Sequence, residues 1–132
     1  MIDMAQRALM LTGRGLLGLY FIVPGITKIT GYAGTVTYMT EHGVPLVSFL
    51  LPLTIFIQIA GGLCLVAGFR AQPVAFLLAG LTLVISIFMH NFWAYEEGME
   101  QAHELQNFIK NLAIMAGLMF VAGTPPARSS PA

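Results

Sequence analysis

The chain has 132 residues, of which 57% are hydrophobic and 9% charged, and its six basic and six acidic side chains leave no formal net charge. That is length for one domain, and a charged share far below the quarter usual in soluble domains, with a mean hydropathy of +0.79, points to lipid as the solvent. The neutral balance, with no basic or aromatic motif, sets nucleic acid aside as a partner, and the lone Cys64 rules out a disulfide framework, a CxxC pair or an intramolecular thiol couple.

The first apolar stretch runs from Ala8 to Ile29. Arg7 precedes it as in a signal peptide, but Arg14 interrupts it and no small-x-small cleavage pattern follows, so it is expected to remain as a membrane helix. At ~100° per residue, Arg14, Gly18, Phe21, Gly25 and Lys28 share one face, and its small residues allow a neighbouring helix to come close. Pro24-Gly25 is a place where this helix is expected to kink or end. The link from Thr30 to Pro45 contains Gly31, Gly34 and Gly43 and is mildly amphipathic around Tyr32, Val36 and Met39, as suits a segment lying along the surface.

The second stretch, Leu46 to Val66, places Thr54, Gln58, Gly61, Leu65 and Gly68 on one stripe. A tight link, Ala67 to Gln72, leads to Pro73 at a first helical position, where a missing N–H costs nothing. The third stretch, Val74 to Trp93, aligns Ala79, Ser86, His90 and Trp93. The fourth, Asn107 to Ala122, reaches the length of a span only by drawing in Lys110 and Asn111, and it aligns His103, Asn107, Lys110 and Asn111. The proline-rich tail from Thr124 to Pro131 is polar and expected to be disordered.

Spans of this length and continuity are too apolar for barrel strands, so the expected fold is an all-α integral membrane four-helix bundle. Residues 1–123 form its single domain, and 124–132 a cytoplasmic tail. Arg7, Arg14, Arg70 and Arg128 fall on the side that holds both termini, which makes that side cytoplasmic. The acidic link between the third and fourth spans, with Glu96, Glu97, Glu100 and Glu104, then faces outwards.

An unpaired polar group facing lipid is costly, so the polar faces are expected to turn inwards. Depth counted at ~1.5 Å per residue brings Arg14 and Gln58 to a similar level, and a hydrogen bond from the guanidinium to the Gln58 amide oxygen is expected there. Lys28, His90, Trp93, Asn107, Lys110 and Asn111 lie in the outer third and form the candidate ligand-binding cluster. Each has a plainer reading: His90 and Trp93 as interfacial anchors, and Lys110 as a side chain snorkelling to the surface. Glu100-Gln101-Ala102-His103 has the Glu-x-x-His form of di-metal carboxylate bundles, but in one copy without the further carboxylates, so no metal site is expected.

Arg14-Gly15-Leu16-Leu17-Gly18 with Phe21, Gly25 and Lys28, Gln58 with Gly61-Gly62 and Gly68-Phe69-Arg70, and His90-Asn91-Phe92-Trp93 followed by Phe108-Ile109-Lys110-Asn111-Leu112-Ala113 resemble the DoxX family of small four-helix membrane proteins. The resemblance extends from about Arg14 to Gly117 and implies a multi-pass protein of the bacterial inner membrane. The family takes its name from the membrane subunit of a thiosulfate:quinone oxidoreductase, and most of its members are uncharacterised.

The leading expectation is a membrane subunit of a redox system whose outer cluster binds a quinone head group or a small oxyanion. Two lysines at one depth would attract the oxyanion. A quinone would need a donor for its carbonyl, a cation for the charge that develops on reduction, and a group such as His90 for its proton. The sequence contains no evident electron carrier, so a redox partner bearing flavin, haem or thiol, or a homo-oligomer, is expected in the bilayer. The alternative is a non-enzymatic helper, scaffold or small-solute carrier.

Overall fold

The computed structural model describes residues 3–125. They form α1 (Met4–Thr30), α2 (Tyr32–Glu41), α3 (Val47–Ala67), α4 (Ala71–Met89), a single 3-10 turn (Phe92–Ala94) and α5 (Met99–Gly123). No strand occurs among the described residues, and α1, α3, α4 with the turn after it, and α5 are long and apolar enough to cross a membrane. The tail expected to be disordered lies, beyond Pro125, outside the described residues.

Large apolar side chains cover the outside: Phe120, Phe76 and Phe56 are 80%, 73% and 68% exposed. In water such a surface would be untenable, whereas in lipid it is the solvated face. The inside is small by comparison. Phe21, Leu65, Ala71, Ala75, Leu78, Ala79 and Leu118 form its core, with Leu17 and Ile114 packed against it.

The helices associate as two close pairs, α1 along α3 and α4 along α5, with α3 against α4 between them. The first pair meets backbone to backbone. A Cβ on Gly18 would stand 2.5 Å from the Gly62 carbonyl oxygen, and one on Gly62 would stand 2.6 Å from the Gly18 carbonyl oxygen. Gly25, about two turns further along, leaves room for the Ile59 side chain. The face read from the sequence of α1 is therefore the packed one: Gly18, Phe21 and Gly25 are its buried residues.

Several local expectations need correction. Pro24 neither ends nor interrupts α1, which continues to Thr30, because a proline in mid-helix removes one N–H while Gly25 and the residues after it stay packed on α3. The mildly amphipathic link after α1 forms the ten-residue helix α2, with Met39 as its buried residue. Pro73 is the third residue of α4 rather than the first, still within the opening turn whose N–H groups have no helical acceptor. The third span stops being α-helical at Met89, with His90 as its cap. His90 and Trp93 therefore do not continue the stripe of Ala79 and Ser86.

The expected Arg14–Gln58 hydrogen bond is not formed. Arg14 Nε donates to the Leu65 carbonyl oxygen at 2.7 Å, and its guanidinium fills the space where a Cβ of Gly68 would stand. Gln58 is buried, and its Oε1 has no partner among the described residues. The reason is register. At 27 residues, α1 outruns the 21 of α3 by ~9 Å, so Arg14 stands level with the last turn of α3 and not with its middle. A helix end presents spare carbonyls, and the nearest one accepts the guanidinium.

Gly68 is required twice at this cap, by its φ of +77° and by the guanidinium against it.

Gly18→Ala is expected to cost about 1–3 kcal/mol of stability by prying α1 from α3. Gly80→Ala, where a Cβ meets nothing within 4 Å, is expected to be neutral or stabilising. Thermal unfolding of both variants in detergent checks the pair. In a chain lacking Cys64, a cysteine at Arg70 is expected to react with an impermeant thiol reagent only from the cytoplasm and one at Glu96 only from outside; the reverse pattern would invert the orientation read from the charges.

Candidate functional site

The polar groups within the span of the helices divide into a sealed thread and an open cavity. The thread crosses the bundle: the Tyr20 hydroxyl on α1 donates to Asn111 Oδ1 on α5 at 3.1 Å. Asn111 Nδ2 donates to Ser86 Oγ on α4 at 3.0 Å, and Ser86 in turn donates to the Thr82 carbonyl at 2.7 Å. Asn111, Ser86 and Thr82 are buried. Every link is paired, as low dielectric demands, so Asn111 ties three helices together, and it does not line the cavity.

The cavity lies at the other end of the bundle from Arg14 and Arg70. It has a volume of about 620 Å³ and is bounded by the end of α1, by α2 and the Val44-Pro45 link, by Leu53, Thr54 and Ile57 of α3, and by Leu81, Ile85 and Phe88 of α4. The wall is mostly apolar, and Lys28 and His90 bring to it a cation and an imidazole. Lys28, two residues before the end of α1, is half-buried and forms no ion pair among the described residues. His90 is engaged: its Nδ1 stands 2.9 Å from Glu104 Oε2, with the carboxylate side chain 14% exposed.

Next to that pair lies a rim of α2 and the α4–α5 link. Tyr38 lines the cavity and stacks on His42 with ring centroids 4.2 Å apart. His42 donates from Nδ1 to the Tyr38 carbonyl (2.7 Å) and meets the Tyr95 hydroxyl at Nε2 (3.4 Å). Burial, then the Glu104 carboxylate, then Tyr95 push the Tyr38 phenol above its ordinary range, so it stays protonated. Gln101 clasps the link by donating to the carbonyls of Phe92 and Tyr95.

Of the six residues expected to cluster, the cavity gathers Lys28 and His90. Trp93 is 55% exposed and packs edge-on with Phe92 and Phe108 at 5.2 and 5.7 Å, as suits an interfacial aromatic. Asn107 is half-buried outside the cavity lining, and Lys110 is exposed on α5. The inward line of α5 runs through Glu104, Asn111 and Leu118, and Lys110 is ~100° away from Asn111 on the helix. Glu104 and Tyr38 were missed by sequence reasoning. A signal for Glu104 was present in its seven-residue spacing from Asn111, which places both on one face; Tyr38 had none beyond the mild amphipathicity of its segment. Glu100 and His103 are exposed on α5.

The geometry is that of a mostly apolar cavity among apolar spans with a lysine and a histidine on its wall, and comparison with known proteins agrees with the architecture. A DoxX profile matches residues 9–91. The chain belongs to the DoxX family. The matched stretch ends just after the cavity histidine, so α5, with Glu104 and Asn111, lies outside it. Among curated proteins, this DoxX chain is 40% identical to the inner membrane protein YqjF of Escherichia coli K12 over 120 residues, 91% of this chain and 86% of the relative. It is 29% identical to the inner membrane protein YphA of the same organism over 126 residues, 96% and 89% of the two chains. No solved structure matches. With four apolar spans and inner-membrane relatives, this DoxX protein is a multi-pass protein of the inner membrane.

Asn111→Leu is expected to lower stability by about 1–3 kcal/mol, because it breaks two cross-helix hydrogen bonds and leaves Tyr20 without its acceptor, whereas Lys110→Ala is expected to leave it unchanged. Unfolding in detergent, followed by far-UV circular dichroism, separates the two.

Proposed function

We propose that this DoxX protein is the membrane subunit of a redox system and holds the head group of an isoprenoid quinone in the cavity at the His90 end. The observation that supports this reading is a 620 Å³ chamber, mostly apolar, with one unpaired ammonium and one imidazole on its wall. Its size lies within the ~300–1,000 Å³ of ligand sites, and an apolar wall with a few placed polar groups suits a ring carrying a hydrocarbon tail. Lys28 supplies donors to a carbonyl oxygen and a positive charge for the anion that forms on reduction. His90, backed by Glu104, is the group through which a proton would pass.

A small oxyanion is less well served, because Lys110, the second cation it would need, stands exposed on α5. With the orientation read from the charges, the head group sits on the periplasmic side. The electrons require a partner protein bearing flavin, haem or a thiol pair.

Extraction of the purified protein with organic solvent is expected to release a quinone in near-stoichiometric amount. Lys28→Met and His90→Ala are expected to lose it while remaining folded, and Lys110→Ala to retain it. A protein that yields no quinone, and binds none when it is added, would be a helper or carrier instead.

A further inference from the structure

We propose that the cavity selects the reduced, hydroxyl-bearing form of its ligand, and that Glu104 imposes this choice as a positioning residue by fixing the tautomer of His90; the proposal rests on the quinone reading above. His90 is the first residue after the last turn of α4, and its ring forms part of the cavity wall. Its Nδ1 faces Glu104 Oε2 at 2.9 Å. An ionised carboxylate can only accept, so the imidazole proton resides on Nδ1. In the neutral ring this leaves Nε2, which makes no hydrogen bond among the described residues, as an acceptor.

The other hydroxyls of the wall do not oppose that asymmetry, and that of Thr54 can donate or accept. Thr27 and Thr35 line the cavity, and their hydroxyls donate to the backbone carbonyls of Pro24 at 2.9 Å and Gly31 at 3.0 Å, so their protons are already engaged. Tyr38, protonated, donates or accepts and satisfies either form of a ligand. Lys28 is donor only.

The cavity therefore offers one strong donor and an acceptor at His90. A dihydroxy ring matches both, giving a proton to Nε2 through one hydroxyl and accepting from the ammonium through the other. A dione has acceptors alone, and its carbonyl against the Nε2 lone pair leaves both atoms unpaired.

The test uses the full-length protein in detergent, with decylhydroquinone and decylquinone as the probes and binding measured by calorimetry under anaerobic conditions. The wild type is expected to bind the hydroquinone about tenfold more tightly than the quinone. Glu104→Gln, whose amide oxygen still accepts from Nδ1, is expected to keep the preference; Glu104→Leu, which frees the imidazole proton to move to Nε2, is expected to abolish it by raising quinone affinity towards that of the hydroquinone. ¹⁵N spectra of histidine-labelled protein, with His90 assigned by difference from His90→Phe, are expected to show the Nδ1–H tautomer in the wild type and its loss in Glu104→Leu.

Equal wild-type affinity for the two probes overturns the selection but leaves the quinone reading standing. So does a preference that survives Glu104→Leu, or an imidazolium at His90. Failure to bind either probe defeats both. Should Glu104→Leu fail to fold, Glu104→Gln and the spectra of the wild type still decide.

Discussion

The contact on which the rest of the bundle depends is the meeting of Gly18 and Gly62, where α1 and α3 touch through their backbones. Lipid gives helices no hydrophobic reason to associate, so close van der Waals packing has to do it, and glycine permits the closest approach. That contact sets the register of α1 on α3. With the register fixed, Arg14 reaches the last turn of α3 and caps it, Gly25 receives Ile59, and Phe21 enters the core beside Leu65. A bundle so joined at one end leaves space at the other, and the cavity is that space, walled on one side by α2.

Polar groups inside the bundle follow one rule with two outcomes. Where the helices are close, Tyr20, Asn111, Ser86 and the Thr82 carbonyl form a paired chain that stitches α1, α5 and α4 together, with no capacity left for a ligand. Where they part, Lys28 and His90 face a common chamber with capacity to spare. Gln58 breaks the rule, with a buried Oε1 that lacks a partner among the described residues. Full pairing is a mark of architecture; an ammonium without a counter-ion at an apolar cavity is the observation from which the binding proposal starts.

The chemistry at the cavity depends on α5 although α5 contributes no wall residue. Glu104 reaches His90 from behind, and the Gln101 side chain fastens the link that presents Tyr95 to His42. The cavity wall thus draws on α1 and on the histidine that closes α4, while the hydrogen bond that holds the imidazole comes from α5. Family membership establishes the architecture, and Glu104, the partner of His90, lies outside the matched stretch.

What the sequence determined by itself is what lipid dictates locally. A span must be long and continuously apolar, which made four crossings legible, and small residues at helical spacing marked Gly18 and Gly25 as a packing face before any neighbour was known. Only the tertiary structure decided which polar residues share a site. Lys110 and Asn111 are adjacent in the chain, yet one is exposed and the other is buried among three helices. Arg14 and Gln58 counted to one depth, yet the greater length of α1 carried Arg14 to the end of α3. His90 met Glu104 because α4 ended at Met89 and freed the ring to turn. Helix ends and inter-helix register depend on packing between segments far apart in sequence, and neither composition nor periodicity within one segment contains that information.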